Sequence, residues 1–345
     1  MTLADRFEGF ADWCVGTSPL YERLARAIAD DEVLLDLARI VPSDRSRPHV
    51  LLGAVHAELL RGVDHPLAAF YPSVTDDPIP VTEEDPYPVF RGFCLGHTDR
   101  LRPSLETRRT QTNAVRRCTA LLPAFEFVSR LAGRDPLALI ELGASAGLNL
   151  RFDRYGYQYG ERRVGVENPT LVLSTALRGE REPPLPDDPP PIASRVGVDL
   201  DPVDVTDPAD ARWLRALVWP EHADRRRNLE AAVGIAREHR PDLRRGDAIA
   251  TLPDLLDRVP PERPVCVFDT QLRYQLPEER VERLDETLAD AARRRELYWL
   301  SGHRPSLEHE HGVVLEFGRT IDGQPVVEPL AAYDQHGAWL DWHGS

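Results

Sequence analysis

The spacing of apolar residues divides the chain into two parts of different character. In the first part, apolar residues recur every three or four positions, as they do on the buried face of a helix. The pair Ser18-Pro19 is a typical helix start, with a capping serine before a proline. These patterns predict helices that begin at Pro19, cover about 31–40, run from Pro48 to Gly62 and from about Leu105 to Gly133, with a proline-rich loop over 72–88.

From residue 137 onward, short apolar runs alternate with helical patterns. The run Leu137–Leu142 lies between Asp135-Pro136 and a glycine loop, which suits a buried parallel strand. Further strands are predicted over 195–200, 264–269 and 296–301, and helices over about 208–218, 223–239, 252–259 and 277–295. Alternating strands and helices predict a doubly wound, mostly parallel sheet of the α/β class.

The C-terminal segment has a third pattern, which predicts antiparallel strands. Two extended stretches, 313–320 and 325–333, flank a turn at Asp322-Gly323, and a last strand is predicted over 338–342. We therefore expect an all-helical N-terminal region over 1–104. A sheet domain over 105–345, with an insertion at about 154–192, should follow.

Composition restricts the possible chemistry. All 42 basic residues are arginine, which excludes a P-loop lysine, a Schiff base and a Ser-Lys nucleophile. The net charge of −15 argues against nucleic acid and anionic membranes as partners. No apolar run is long enough to span a membrane, and the N-terminus lacks a signal-peptide pattern, so a cytoplasmic protein is expected. Four singly scattered cysteines predict buried thiols.

The stretch 143-GASAG-147 fits two unrelated site patterns. As G-x-S-x-G it predicts a serine-hydrolase elbow, with Ser145 as nucleophile in a possible triad with Asp269 and either His303 or His336. As a small-residue loop behind an apolar strand, it predicts a nucleotide-cofactor site at a helix N-terminus. The cofactor interpretation is favoured, because a hydrolase elbow follows several strands whereas the preceding 136 residues are essentially helical. A hydrolase also has no use for Glu141 at the strand end.

The sequence resembles class I S-adenosylmethionine-dependent methyltransferases in four places: Glu141 to Gly147, Asp199-Leu-Asp201, Gly246-Asp247-Ala248 and Asp269-Thr-Gln271. More specifically, 110-TQTN-113, ELGASAGLNLRFDRYGYQYG, RVGVDLDPVD and Trp219-Pro220 resemble the domain-of-unknown-function 2332 family of bacteria and haloarchaea, over most of the chain. This resemblance implies a Rossmann-like methyltransferase sheet with S-adenosylmethionine as cofactor. It does not imply a particular reaction.

The resemblance assigns roles to residues at the strand ends. Asp269 and His303 are expected near the methyl-transfer centre, and Asp199 at the cofactor ribose. The cofactor-binding residues implied are Glu141, Gly143, Ala144, Ser145, Gly147, Asn149, Asp199, Asp201, Asp247 and Ala248. A simpler explanation exists for several of them, since Asp247 also fits an ordinary helix N-cap and the glycine loop a tight turn.

Other features have competing explanations. The segment 303–312 contains three histidines and two glutamates, but their spacing argues against a metal site and no metal is expected. Alternating Tyr155, Tyr157 and Tyr159 fit core packing or substrate stacking. The N-terminal helices and a predicted hairpin over 154–179 are expected to form a lid over a small-molecule substrate. The alternative is a non-catalytic cofactor-binding or regulatory module.

Overall fold

A computed structural model of the protein describes residues 1–111, 113–305 and 312–344, with the backbone alone at 303–305. The chain forms two compact units. The first comprises Met1–Thr112 with Thr206–Arg227, and the second comprises Asn113–Val205 with Asn228–Ser345.

The first unit is built mainly from helices whose starts follow local capping rules. The Ser18 side chain accepts a hydrogen bond from the Tyr21 N–H, and Asp31 accepts one from Val33 in the same way. The helices are α1 (Leu3–Cys14), α2 (Pro19–Ala29), α3 (Glu32–Ala38), α4 (Arg47–Leu60), α5 (Tyr87–Gly96) and α6 (Thr98–Thr107). Their inner faces form one apolar core that includes Leu24, Leu51 and Phe90.

The prediction of an all-helical N-terminal region is wrong. A short 3₁₀ helix covers Pro66–Phe70, and from residue 71 to residue 86 the chain makes turns without a helix. Prolines at 72, 78, 80 and 86 explain this, because each removes a backbone donor and restricts the residue before it. The proline-rich loop itself was predicted.

The long helix predicted from Leu105 to Gly133 is also wrong. Helix α6 ends at Thr107, residues 108–111 and 113–114 are not helical, and α7 covers Cys118–Leu131 after a 3₁₀ turn. At Asn113 the side-chain amide donates a hydrogen bond to the Ser145 hydroxyl, a contact within the second unit.

The remaining elements alternate largely as predicted. In chain order they are β1 (Leu137–Leu142), β2 (Gly156–Tyr159), β3 (Arg162–Gly165), β4 (Val172–Arg178), β5 (Ile192–Asp199), α8 (Pro208–Ala216), α9 (Ala223–Glu238), β6 (Asp242–Arg245), α10 (Ala248–Asp257), β7 (Val265–Asp269), α11 (Glu278–Ala292), β8 (Leu297–Pro305), β9 (Gly312–Ile321), β10 (Gln324–Asp334) and β11 (Trp339–Trp342). Strand β6 was not predicted, because its four residues are mostly exposed and charged.

All described strands join one sheet in the order β3-β2-β4-β11-β10-β9-β8-β7-β1-β5-β6. Strands β6, β5, β1, β7 and β8 are mutually parallel. The predicted antiparallel C-terminal end is confirmed, since β9 pairs with β8 and β10, and β10 with β11. Asp322 and Gly323 turn β9 into β10 with positive φ angles of 50° and 75°. The protein is therefore a mixed α/β structure with a large, mostly parallel sheet.

The predicted insertion forms part of this sheet. Strands β2 and β3 pair as an antiparallel hairpin at the sheet edge, and β4 joins β2 to β11. Tyr155, Tyr157 and Tyr159 are fully buried, and their hydroxyls donate to the carbonyls of Leu148, Phe152 and Thr119. These tyrosines are core residues, so they do not form an accessible stacking surface.

Strand β1 is buried on both faces, as its apolar run predicted. Ala138, Ile140 and Leu142 pack in one cluster with residues of α10 and α11. Because side chains alternate along a strand, Glu141 faces the opposite side, toward α7. This orientation places a carboxyl group inside the protein near the end of β1.

Candidate functional site

The candidate site lies where the parallel strands β5, β1 and β7 end. Glu141 pairs in register with Gly197 of β5 and Phe268 of β7, so the acids Asp199 and Asp269 end the neighbouring strands at the same sheet edge. If the five parallel strands are numbered along the chain, their order across the sheet is third, second, first, fourth, fifth. The order reverses between β1 and β7, and open α/β sheets bind ligands outside the carboxyl ends of the strands at such a point.

The loop after β1 has a strained backbone. Gly143, Ser145 and Gly147 have φ angles of 72°, 49° and 65°, a region that glycine adopts easily and serine does not. A Cβ at Gly147 would lie 2.8 Å from Pro241 and 2.9 Å from Leu243, so a side chain has no room there. Non-glycine residues in this conformation often mark functional sites.

The loop does not lead into an α-helix, which corrects part of both interpretations of GASAG. A six-residue 3₁₀ helix, Asn149–Arg154, follows the loop and leads directly to β2. A hydrolase elbow and a helix-terminal cofactor site both require an α-helix at this place. Phe152 and Tyr155 are buried in the core, and the chain continues from them into strand β2 and not into an α-helix.

Asp199 holds the loop in place. Its Oδ2 accepts a 2.8 Å hydrogen bond from the Ser145 N–H, and its Oδ1 accepts one of 2.8 Å from the Asp201 N–H. The N–H groups of Gly143 and Ala144 donate to the Val198 carbonyl at 2.9 and 3.1 Å. The end of β5 therefore fixes the conformation of the loop after β1.

Replacing Asp199 by asparagine should destabilise the protein by about 1–3 kcal/mol, because the amide nitrogen would face one of the two backbone N–H groups and leave that donor unpaired. Urea unfolding would measure this loss. Asp201→Asn is the matched control: Asp201 pairs with Arg245 at 2.6 Å on the surface and should lose less than about 1 kcal/mol. Equal losses in the two variants would contradict the bracing role of Asp199.

Glu141 is the most unusual group at this edge. It is only 2% exposed, and its Oε1 accepts a 2.8 Å hydrogen bond from the Asn149 side-chain amide. The Cys118 thiol donates in turn to the Asn149 Oδ1 at 3.4 Å, which fixes the orientation of the amide. Within the described part of the chain, Glu141 Oε2 has no hydrogen-bond partner.

Burial, and to a smaller extent the nearby Asp199, raise the pKa of the Glu141 carboxyl, while Asn149 and Arg117 lower it, and the resulting pKa is about 8. A carboxyl group in this state is mostly protonated at neutral pH. Perturbed titratable groups of this kind concentrate at functional sites.

The residues predicted for this site from the sequence did not include Arg117. The Arg117 side chain is buried, and its Nε donates to the Gln335 carbonyl at 2.9 Å. Its charge acts on Glu141 and on Tyr333 of β10. The flanking apolar residues Val115 and Cys118 were the available signal for burial.

Asp269 forms a buried ion pair. The Arg273 Nε donates to Asp269 Oδ2 at 3.1 Å, and both side chains are 2% exposed. The Arg273 Nη1 also donates to Asp285 of α11 at 2.5 Å. Burial raises the pKa of Asp269, and Arg273 opposes that effect. Asp269 lies where the sequence predicted, but a guanidinium that the sequence did not predict occupies one side of it.

The other predicted cofactor residues have structural partners. The Asp247 side chain caps α10 by accepting from the N–H groups of Ile249 and Ala250, and it pairs with Arg280 at 2.5 Å. Ala248 is the first residue of α10. Asp247 therefore performs the N-cap role that its sequence context also allowed.

Ser145 is close to Asn113, a residue of the 110-TQTN-113 motif. The Asn113 amide donates to the Ser145 Oγ at 2.8 Å, so the hydroxyl acts as an acceptor. No described histidine side chain hydrogen-bonds Ser145, whereas a hydrolase nucleophile needs a base for its proton. His303 lies in β8 with its side chain outside the described residues, as do all of residues 306–311, which held the candidate metal ligands.

Together, the sheet and its polar edge define a mixed α/β protein whose candidate site lies at the ends of parallel strands. The chain belongs to the family described as "uncharacterized protein conserved in bacteria" (DUF2332), which matches residues 4–342. The predicted family resemblance is thereby confirmed. No curated protein and no solved structure matches the chain. None of the described helices is long and apolar enough to cross a membrane.

Proposed function

We propose that the second unit binds S-adenosylmethionine at the edge formed by β5, β1 and β7 and transfers its methyl group to a small molecule. The observation that carries this proposal is Glu141, a buried carboxyl whose Oε2 lacks a partner among the described residues. An unsatisfied buried oxygen costs roughly 1–3 kcal/mol. A ligand that donates a hydrogen bond to Glu141 would remove this cost.

The strand order supports the position of the site. The reversal between β1 and β7 creates the crevice in which doubly wound sheets bind nucleotides. The loop that Asp199 braces consists of small residues from Gly143 to Gly147, so a flat ligand could approach its backbone. Asp199 would lie near the ribose, since it ends β5 beside this loop.

Methyl transfer requires few catalytic side chains. When bound, S-adenosylmethionine supplies an electrophilic methyl group, whose bond to sulfur breaks as the acceptor atom bonds to the methyl carbon. The residues of the edge therefore need only to hold the acceptor in line and exclude water. The rigid loop and the buried Asp269–Arg273 pair are suited to such positioning.

A small acceptor is favoured over nucleic acid because many of the described arginines have acidic partners. Arg130 and Arg134 both bind the buried Glu126 at 2.6 Å, and Arg195 binds Asp153 at 2.6 Å. An arginine held by a carboxylate within the fold contributes little to a surface that attracts phosphates. The net charge of −15 acts in the same direction.

A second candidate is a module that binds the cofactor without transferring the methyl group. The pairing of Asp269 with Arg273 favours it, since Asp269 is then less available as a proton acceptor. Cell extract incubated with the protein and methyl-labelled S-adenosylmethionine distinguishes the two. A labelled small molecule supports the transferase, whereas cofactor binding without any labelled product supports the module.

A further inference from the structure

Among the described residues, the outer oxygen of Glu141 has no hydrogen-bond partner. As a carboxylate, Oε2 would need a hydrogen-bond donor, and as a carboxylic acid it would need an acceptor for its proton. The described residues provide neither. Oε1 is fixed by Asn149, so the side chain cannot rotate without losing that bond. A bound ligand would supply the partner that these residues do not.

The charges around Glu141 show which kind of partner is favoured. The groups that act on it are Asp199 at the end of β5 and Arg117 before α7, together with the neutral side chain of Asn149. Glu141 acts in turn on Cys118 and Tyr155, which are both buried and uncharged at neutral pH. Arg117 and Asp199 have opposite effects on Glu141, so the surroundings do not compensate a negative charge on its carboxyl group. A positively charged group of a ligand would compensate it.

We propose that Glu141 selects the ligand by charge: a ligand that places a positively charged group against Oε2 expels the proton from Glu141 as it binds. This inference rests on the proposed function for the identity of the ligand, S-adenosylmethionine, which carries a sulfonium and an ammonium. A neutral ligand with the same adenosine part leaves the proton in place. Binding of a positively charged ligand is thus coupled to the release of a proton from Glu141.

The coupling predicts a specific pH dependence. Because the pKa of Glu141 in the ligand-free protein is about 8, close to one proton should leave per cation bound at pH 6.5. The affinity should then rise about tenfold per pH unit up to about pH 7.5 and level off above pH 8.5. Calorimetric titration with S-adenosylmethionine at pH 6.5 in phosphate and in imidazole, two buffers that differ in ionisation enthalpy, measures the number of protons released.

Three comparisons make the test specific. 5′-Methylthioadenosine, which has neither a sulfonium nor an amino acid, should bind without proton release. Glu141→Gln should bind S-adenosylmethionine without proton release and with no rise in affinity with pH. Glu161→Gln, an exposed position in the turn between β2 and β3, should behave like the wild type.

The outcomes separate this inference from the proposed function. Binding of S-adenosylmethionine with no proton release at pH 6.5, or with equal release in Glu141→Gln, overturns charge selection and leaves the cofactor site intact. Absence of binding by the folded wild type at every pH overturns both. Proton release in the wild type that Glu141→Gln abolishes supports the inference.

Discussion

Replacing Glu141 by glutamine should make the ligand-free protein more stable than the wild type at pH 8, by about 1–4 kcal/mol. Most substitutions of buried residues destabilise a protein. This one should do the opposite, because the wild-type carboxyl is buried and its Oε2 has no partner among the described residues. The amide of glutamine has nearly the same shape and can keep the hydrogen bond from Asn149.

The sign follows from the raised pKa of Glu141. Below about pH 4.5, the carboxyl is protonated in both folded and unfolded protein, and its ionisation does not affect stability. As the pH rises from about 4.5 to 8, the unfolded protein loses this proton while the folded protein retains it, so the wild type loses stability. Glutamine lacks this titration, and its advantage should grow over the same pH interval.

Thermal or urea unfolding of both proteins between pH 4.5 and 8.5 measures this effect. The midpoint difference should be largest near pH 8 and should shrink toward pH 4.5. Glu161→Gln at an exposed position should show no such trend. A variant that is less stable than the wild type at every pH would show that Glu141 stabilises the fold and is not retained for a ligand.

Replacing Arg273 by methionine should destabilise the protein by about 3–5 kcal/mol. The substitution leaves Asp269 as a buried acid without its cation, and it also removes the bond to Asp285. Breaking one side of a buried pair costs more than the pair itself contributes, because the remaining charge stays desolvated. Without Arg273, the buried Asp269 must take up a proton, and this uptake costs more free energy at pH 7 than at pH 4. The loss of stability should therefore be smaller at pH 4.

Two further variants identify the cause of this loss. Asp269→Asn combined with Arg273→Met should recover part of the stability, since no unpaired charge remains. Arg280→Met removes a more exposed arginine from its pair with Asp247 and should cost less than about 1 kcal/mol. If Arg273→Met cost no more than Arg280→Met, the buried pair would not be an important element of the edge.

The sequence predicted the sheet better than the site. The apolar run 137–142 predicted strand β1, and the acid at its fifth position drew attention to Glu141. A carboxyl group in a buried strand must lie inside the protein, near the end of the strand. Strands β5, β7 and β8 were predicted close to their observed positions. Each of these strands contains a short run of apolar residues bounded by polar residues, proline or glycine. Such a run can be recognised from the local sequence alone.

The remaining features depend on contacts between distant residues. The helix break around residues 108–114 involves the bond from Asn113 to Ser145, 32 positions away. The burial of Arg117 involves Gln335, and the 3₁₀ segment after the loop follows from packing of Phe152. Helical periodicity carries no information about such partners.

Asn149 shows a related limit. The resemblance to methyltransferases suggested that it binds the cofactor, while the structure shows that it orients Glu141 and is itself held by Cys118. A side chain that orients a buried carboxyl has no local sequence signature, because its role depends on a neighbour eight positions away and on a thiol from another helix.

Calorimetric titration of the folded protein with S-adenosylhomocysteine at pH 8, at low and at high salt, tests whether the edge around Glu141 and Asp199 binds S-adenosylmethionine. We expect saturable binding of one ligand per chain, weakened at least tenfold by Glu141→Ala and by Asp199→Ala but not by Glu161→Ala. No binding heat at either salt concentration, together with an unchanged melting temperature in the presence of excess ligand, would contradict it.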